Sequence, residues 1–452
     1  MSDDERKLPE EKRNRLMDSL HDVRVNADRG REPELLPALQ GRRQVSVRAL
    51  IERIAAQFVD EHGYGESDAL KAAKTEIDRI KLVKATAEYV IAVESVQVSN
   101  KEKAMLIRLA YAELFTYGGL DTLLANPDVT TITLEGADKA AVRYGHGEFT
   151  TLKPLFDDES HLRRVVRRML EDAGAELRED EPLIETGLTI SGRRVSVNVA
   201  APPITLFLSV DIRAHPIEPP TLEDCVTREM LMPDAAQLLA AIAQSPYGLV
   251  IVGDTESGKT TLLGTMARLA GDAVVAVERS GELALPDDSQ RVVVKWPVGD
   301  EPGVGFAAQV EAALKHQMPT ILLDEVRTDE AQAVAPLLAA DDTPRQMWAF
   351  RGPADTTRLI SALGMLARRA DPTAGEALVH RLYERLPFVV TLKRRKGKLL
   401  LYAVSEWQYR DGEDYPDHIE LMTMGWHGIE KTGKRPLKAL DIPDDFWVSP
   451  DA

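Results

Sequence analysis

Cysteine is nearly absent from this chain. Cys225 is the only one in 452 residues, which excludes an internal disulfide and any multi-cysteine zinc module. No stretch approaches the roughly 20 apolar residues that a helix needs to span a bilayer. The opening Met1-Ser2-Asp3-Asp4-Glu5-Arg6-Lys7 has no apolar core of a secretory signal. A positive balance is missing too. The formal charge of −17 and a pI near 5.1 argue against a general nucleic-acid coat, which carries a basic face. These absences predict a cytoplasmic protein whose membrane contact is peripheral or made through a partner. At 452 residues the chain exceeds one ordinary core, so two or three domains are expected.

What is present is an apolar strand, Val250-Ile251-Val252, running into Gly253-Asp254-Thr255-Glu256-Ser257-Gly258-Lys259-Thr260-Thr261. This is G-x-x-x-x-G-K-T, followed by the helical Leu262-Leu263-Gly264-Thr265-Met266-Ala267. Phosphate binding needs these residue types at this spacing. Glycines let the backbone turn several N–H groups inward at a helix N-terminus, making a concave anion nest. In such a loop the lysine, here Lys259, reaches the β- and γ-phosphates, and the hydroxyl of Thr260 ligates Mg²⁺. The pattern predicts a P-loop that binds ATP with Mg²⁺.

Periodicity organises the remainder. Residues 1–45 are highly charged and are expected to form a mobile arm. Residues 46–116 read as a helical extension. Leu50, Ile51, Ile54 and Phe58 make one apolar stripe, and Leu106, Ile107, Leu109 and Leu114 part of another, both read as packing faces. Tyr117-Gly118-Gly119 breaks the helical run. Residues 117–215 read as a small α/β domain with strands around Val129, Ile132 and Leu134 and around Val142 and Tyr144. A helix capped by Asp157-Asp158-Glu159 follows, then a hairpin turning at Ser191-Gly192-Arg193-Arg194. Residues 216–225, with Pro216, Pro219 and Pro220, read as a stiff linker, and 226–452 as the P-loop domain.

Two apolar strands in that last domain end in acids. Val274-Val275-Ala276-Val277 leads into Glu278 and, after one turn, Glu282; Ile321-Leu322-Leu323 leads into Asp324-Glu325. Acids delivered at the carboxyl ends of strands fit the ligand crevice of a parallel sheet. Asp324 would join Thr260 in holding Mg²⁺, and Glu325 would orient or deprotonate the attacking water. Glu278 and Glu282 are the competing candidates for that role.

In their order along 117–407, these segments resemble the type II/IV secretion ATPases, nearest to the tight-adherence (Flp) pilus branch. The resemblance is carried by Tyr117-Gly118-Gly119-Leu120-Asp121 with Asn126-Pro127-Asp128, by Gly192-Arg193-Arg194 and Ile212-Arg213, and by Val277-Glu278-Arg279-Ser280-Gly281-Glu282 as an acidic box. Glu325-Val326-Arg327 stands as the Walker B segment, and the hairpin around Lys393-Arg394-Arg395 completes the series. It implies a RecA-like P-loop domain preceded by a smaller α/β domain. It also implies a hexameric ring whose nucleotide is clamped between domains, with Arg194 and Arg213 reporting the γ-phosphate. Its work would be pilus assembly or secretion at the inner face of the cytoplasmic membrane, through an integral-membrane platform, with nucleic acid not expected as a partner. Neither of those two arginines has an evident carboxylate partner in its local sequence.

The chain departs from that family's pattern. Arg279 stands where an Asp is usual, and Asp324 where a Gly precedes the catalytic Glu. Glu256 brings a negative charge into the phosphate loop, which should oppose ATP unless it points outward. Trp348-Ala349-Phe350 occupies the place of a His-Ala-Asn, and indole cannot accept a proton as imidazole does. Arg345 or Arg351 is the cation that would substitute. Two alternatives therefore stand beside the motor ATPase: a low-turnover nucleotide-binding scaffold of the same machinery, and a conjugation-type ATPase serving DNA export.

Overall fold

The computed structural model describes residues 35–37, 44–63, 67–190, 192–352, 355–395, 398–409, 415–426 and 428–447. The expected charged arm lies outside the described residues except for 35–37 and 44–45, as do Ser191 of the hairpin turn and residues 396–397 of the basic one. Contacts divide the chain into two compact units, Met1–Asn126 with Pro154–Arg168, and Pro127–Lys153 with Met169–Ala452.

The first unit is helical. Strands β1 (Leu35–Pro37) and β2 (Gln44–Ser46) pair antiparallel. Helices α1 (Val47–His62), α2 (Asp68–Ala72), α3 (Glu76–Val93), α4 (Asn100–Phe115) and α5 (Gly119–Ala125) follow. Side chains set the starts of the first four: Ser46 accepts from the Ala49 N–H, Ser67 from that of Leu70, Thr75 from that of Asp78, and Ser99 and Glu102 form a reciprocal capping box. Each such cap contributes about 1 kcal/mol. The stripe read from the sequence is the core of this unit, with Leu50, Ile54 and Phe58 buried against Val83, Ala87, Val90 and Leu106. Helix α6 (Glu159–Asp172) begins where Asp158 accepts from the His161 N–H, and Leu162, Val165, Val166, Met169 and Leu170 are buried on one of its faces.

The second unit holds two sheets. Six antiparallel strands run in the order β5-β4-β3-β8-β7-β6: β3 (Val129–Glu135), β4 (Lys139–Tyr144), β5 (Phe149–Leu152), β6 (Leu183–Ile190), β7 (Arg193–Ala200) and β8 (Ser209–Ala214). After α7 (Leu222–Thr227) and α8 (Pro233–Gln244) the chain enters β9 (Leu249–Gly253), α9 (Lys259–Ala270), β10 (Val274–Glu278), β11 (Gln290–Val293) and α10 (Phe306–Leu314). It continues through β12 (Thr320–Val326), α11 (Ala331–Ala339), β13 (Arg345–Arg351), α12 (Thr356–Ala370) and α13 (Gly375–Arg385). The last strands are β14 (Phe388–Arg395), β15 (Lys398–Gln408), β16 (Asp417–Met424) and β17 (Ile429–Lys431).

The larger sheet runs β11-β10-β12-β13-β9-β14-β15-β16-β17. It is parallel from β11 to β14 and antiparallel beyond. A parallel sheet covered on both faces reads as continuous apolar runs, which is why β9, β10 and β12 lack polar alternation. Leu249 and Ile251 pack on one face with Leu238, Leu262 and Met266. Val250 and Val252 pack on the other with Val334, Leu363 and Leu382. The fold is thus an α/β P-loop domain of RecA-like layout, preceded by a smaller α/β sheet and a helical N-terminal region.

Candidate nucleotide site

Strand β9 delivers the phosphate loop to the carboxyl edge of the sheet. Gly253 admits no side chain: a Cβ there would meet Ser257 Oγ at 2.4 Å and the Leu392 carbonyl at 2.7 Å. Gly258, at φ +91°, lies in the left-handed region that glycine enters without penalty. No side chain caps α9, so its first N–H groups are left to face an anion. Lys259 is 4% exposed and donates to the Asp254 carbonyl at 2.8 Å, curling over the loop. Burial lowers its pKa, while the charges of Glu325 and Asp324 act the other way. Ser257 Oγ is buried with no hydrogen-bond partner, a polar atom that a phosphate oxygen would satisfy.

The acids converge on the start of α9. Thr260 Oγ1 donates to Asp324 Oδ1 at 2.9 Å, the pairing expected of two residues that would hold one Mg²⁺. Burial and the charges of Glu282 and Glu278 push the Asp324 carboxyl well above its usual range. Glu282 goes the opposite way, to about 2: burial opposes its charge, but His215, Ser196 and Thr260 more than compensate. Glu278 is fully buried, with its Oε1 accepting the Leu283 N–H at 2.6 Å and its Oε2 lying 2.6 Å from Arg291 Nε. Those contacts place Glu278 as the brace of the acidic box. Burial raises its pKa to about 7.

Glu325 is positioned by a defect. The β12–β13 register shifts between Leu323 and Val326, and Glu325 adopts φ +58°, a region costing a non-glycine residue about 1 kcal/mol or more. Arg327 Nη2 lies 3.2 Å from its carboxylate and Arg351 Nη1 3.5 Å. Arg279 is stacked over the Phe306 ring at 4.7 Å, is ion-paired with Glu330, and lies 3.5 Å from the Glu325 carbonyl. The unusual arginine of the acidic box thus braces the end of β12.

Arg194 donates to the Leu283 carbonyl, which Arg291 also contacts, so it reaches the acidic-box loop. Arg213 corrects a sequence expectation. It has a carboxylate partner two residues away on its own strand, with Asp211 Oδ1 at 3.2 Å, and Glu256 lies 3.9 Å from it. Strand alternation hid the pair, because residues i and i+2 share a face that linear reading does not display.

Trp348 does not face the loop. It is fully buried in the core with Val250 and Leu323, its neighbours on β9 and β12. The crevice end of β13 is Arg351, which pairs with Gly253. Arg345 lies at the far end, donating to the carbonyls of Tyr247, Ala243 and Ile242, and so cannot serve as the substitute cation. The Glu256 carboxylate in the loop is not bare. Arg143 Nη1 is 2.7 Å and Arg394 Nη1 3.1 Å from its Oε2, so its charge is met by guanidinium groups. Sequence reasoning missed Arg143, Arg291 and His215, which carry no local motif and come from separate strands and loops, and it quoted Arg327 in the Walker B segment without giving it a role.

These features define an α/β fold of RecA-like layout with the Gly253–Thr260 loop and the acids of β12 at its sheet edge. Residues 156–343 match the family described as Type II/IV secretion system protein. A putative conjugal transfer protein of Mycobacterium tuberculosis is 29% identical over 273 residues, covering 58% of this chain and 76% of that protein. The competence protein ComGA of Halalkalibacterium halodurans is 28% identical over 150 residues, 32% of this chain and 41% of that one. Among solved structures, the ATPase DotB of Legionella pneumophila aligns with TM-score 0.45 and 18% identity over 65% of this chain and 80% of its own. The pilus retraction motor PilT with bound ADP aligns with TM-score 0.42 and 17% identity over 67% and 80%.

Proposed function

We propose that this chain is a Mg²⁺-dependent ATPase whose hydrolysis drives domain motion for pilus assembly or protein secretion at the inner face of the cytoplasmic membrane. The observation that carries the reading is the Thr260–Asp324 contact at 2.9 Å beside the buried Lys259, which joins the phosphate loop to the acid of β12. In this reading Gly253, Asp254, Thr255, Glu256, Ser257, Gly258, Lys259, Thr260 and Thr261 cradle the phosphates, and Thr260 with Asp324 holds the metal. Mg²⁺ bound there would neutralise charge developing on the β- and γ-phosphate oxygens. Lys259 donates to the γ-phosphate and Glu325 takes the proton of the attacking water, with Arg351 and Arg327 fixing its carboxylate. The strained backbone of Glu325 supports that role, since strain of this kind clusters at functional positions.

Arg194 and Arg213 report the γ-phosphate from the smaller sheet. The working form is a homo-oligomer, a hexamer by family resemblance and closest to the tight-adherence branch, docked on an integral-membrane platform. The domain limits at 45/46, 116/117, 215/216 and 225/226 belong to the same reading. The test is steady-state ATP hydrolysis of the full chain with Mg²⁺, alongside nucleotide affinity. Tight binding without turnover would favour the scaffold alternative.

The relative named as a conjugal transfer protein favours a second reading, DNA export. The hairpin that would meet DNA speaks against it. Lys393 lies over the Tyr402 ring, Arg394 is paired with Glu256, and Lys398 with Glu229. ATPase activity stimulated by DNA would restore it.

A further inference from the structure

Glu256 draws together three guanidinium groups from three different strands. Arg143 comes from β4, Arg213 from β8 and Arg394 from β14, at 2.7, 3.9 and 3.1 Å. The carboxylate is 24% exposed, and its residue adopts φ +60° in the middle of the phosphate loop, where glycine would sit unstrained. Burial opposes the charge on Glu256, but the Arg143 hydrogen bond and the three arginine charges hold its carboxyl below the usual range. Asp211 is a second anion in the group, paired with Arg213, and the charge of Glu282 also acts on Arg213, so the three guanidiniums supply the positive charge here. His146 adds none, since burial and the neighbouring Arg394, Arg228 and Arg143 lower its pKa. Arg143 also keeps an unused donor: its Nε is buried with no hydrogen-bond partner.

We propose that Glu256 is a resident counter-anion for the arginines gathered at the phosphate loop, and so sets how strongly this chain prefers a nucleoside triphosphate over the diphosphate. The inference rests on the ATPase reading. A carboxylate accepts the same forked guanidinium donors that a phosphate does. An incoming γ-phosphate therefore competes with Glu256 for Arg143, Arg213 and Arg394, whereas ADP asks less of them. The residue lowers triphosphate affinity while keeping three like charges together between turnovers.

The test is equilibrium titration of the full chain, with Mg²⁺, against ADP and a non-hydrolysable ATP analogue. Glu256→Gln keeps the shape and removes the charge, and is expected to tighten the triphosphate about tenfold with a smaller change for ADP. Arg394→Gln works in the opposite sense and should lower the triphosphate-to-diphosphate affinity ratio; it decides the matter if the first variant misfolds. A ratio that is unchanged or lowered in Glu256→Gln, or unchanged or raised in Arg394→Gln, overturns the proposal. A wild-type chain that binds neither nucleotide fails the ATPase reading itself, which is a distinguishable outcome.

Discussion

His215 Nε2 lies 2.7 Å from Glu282 Oε2, joining the end of the smaller sheet to the loop that follows β10. The same nitrogen is 2.9 Å from Ser196 Oγ on β7. Around this contact the antiparallel sheet meets the acidic box closely. A Cβ on Gly187 would fall 1.8 Å from the Ser280 carbonyl, Trp296 Nε1 donates to the Glu185 carbonyl at 2.7 Å, and Arg327 reaches Glu185 Oε2 at 2.5 Å. Glu282 is thereby held as a link between the two sheets.

Lys259→Ala removes a preorganised cation from the phosphate loop. Hydrolysis by the purified variant should fall by about 100-fold or more. Turnover at the wild-type rate would contradict the assignment of this loop.

Glu325→Gln keeps the side-chain shape while losing the base. The variant should bind ATP with near wild-type affinity and hydrolyse it about 100-fold more slowly. Glu282→Gln, which weakens the contact with His215, should have the smaller effect on the chemical step. If single-turnover rates rank the two variants in the reverse order, the roles are exchanged.

Arg213→Ala should weaken the preference for ATP over ADP with the fold retained, because the guanidinium discriminates the γ-phosphate. Its pairing with Asp211 provides the competing structural account. Nucleotide titrations alongside thermal melting separate the two: an unchanged affinity ratio with lowered stability leaves Arg213 as a structural residue.

His418 predicts an acid sensitivity unrelated to nucleotide. Burial alone lowers its pKa to about 4, it packs 4.7 Å from the Trp407 ring, and neither ring nitrogen has a hydrogen-bond partner among the described residues. The folded state thus binds this proton more weakly than the unfolded chain, whose histidine titrates near 6.5. The contribution is fully present above that pH and is lost as pH falls from about 6.5 towards 4, by roughly 1–3 kcal/mol. Denaturant midpoints at pH 7.5 and 5 measure it. His418→Phe should flatten the difference, and an equally steep loss in that variant would assign it to other groups.

Much of the fold was legible in the sequence. The P-loop pattern, the apolar strands ending in Glu278 and Asp324-Glu325, and the helical stripes of the first unit all depend on local spacing, and each lies where periodicity put it. Local chemistry suffices there because a turn, a helix start or a strand end is made by neighbours along the chain. The identity of the Trp348 position was legible as well, but its direction was not. Only the pairing of β13 with β9 and β12 turns that ring into the core and leaves Arg351 at the crevice.

By itself, then, the sequence determined a phosphate loop on an α/β sheet, with the acids to accompany it. The tertiary structure decided which charges meet. Glu256 is one carboxylate among 73 acidic residues until Arg143, Arg213 and Arg394 arrive from three strands. Glu278 and Glu282 look alike in sequence, yet one is buried against Arg291 and pushed up to about 7, while the other faces His215 and is held at about 2. Charge interactions in a protein depend on separation and burial. Both arise only when segments distant along the chain are packed together.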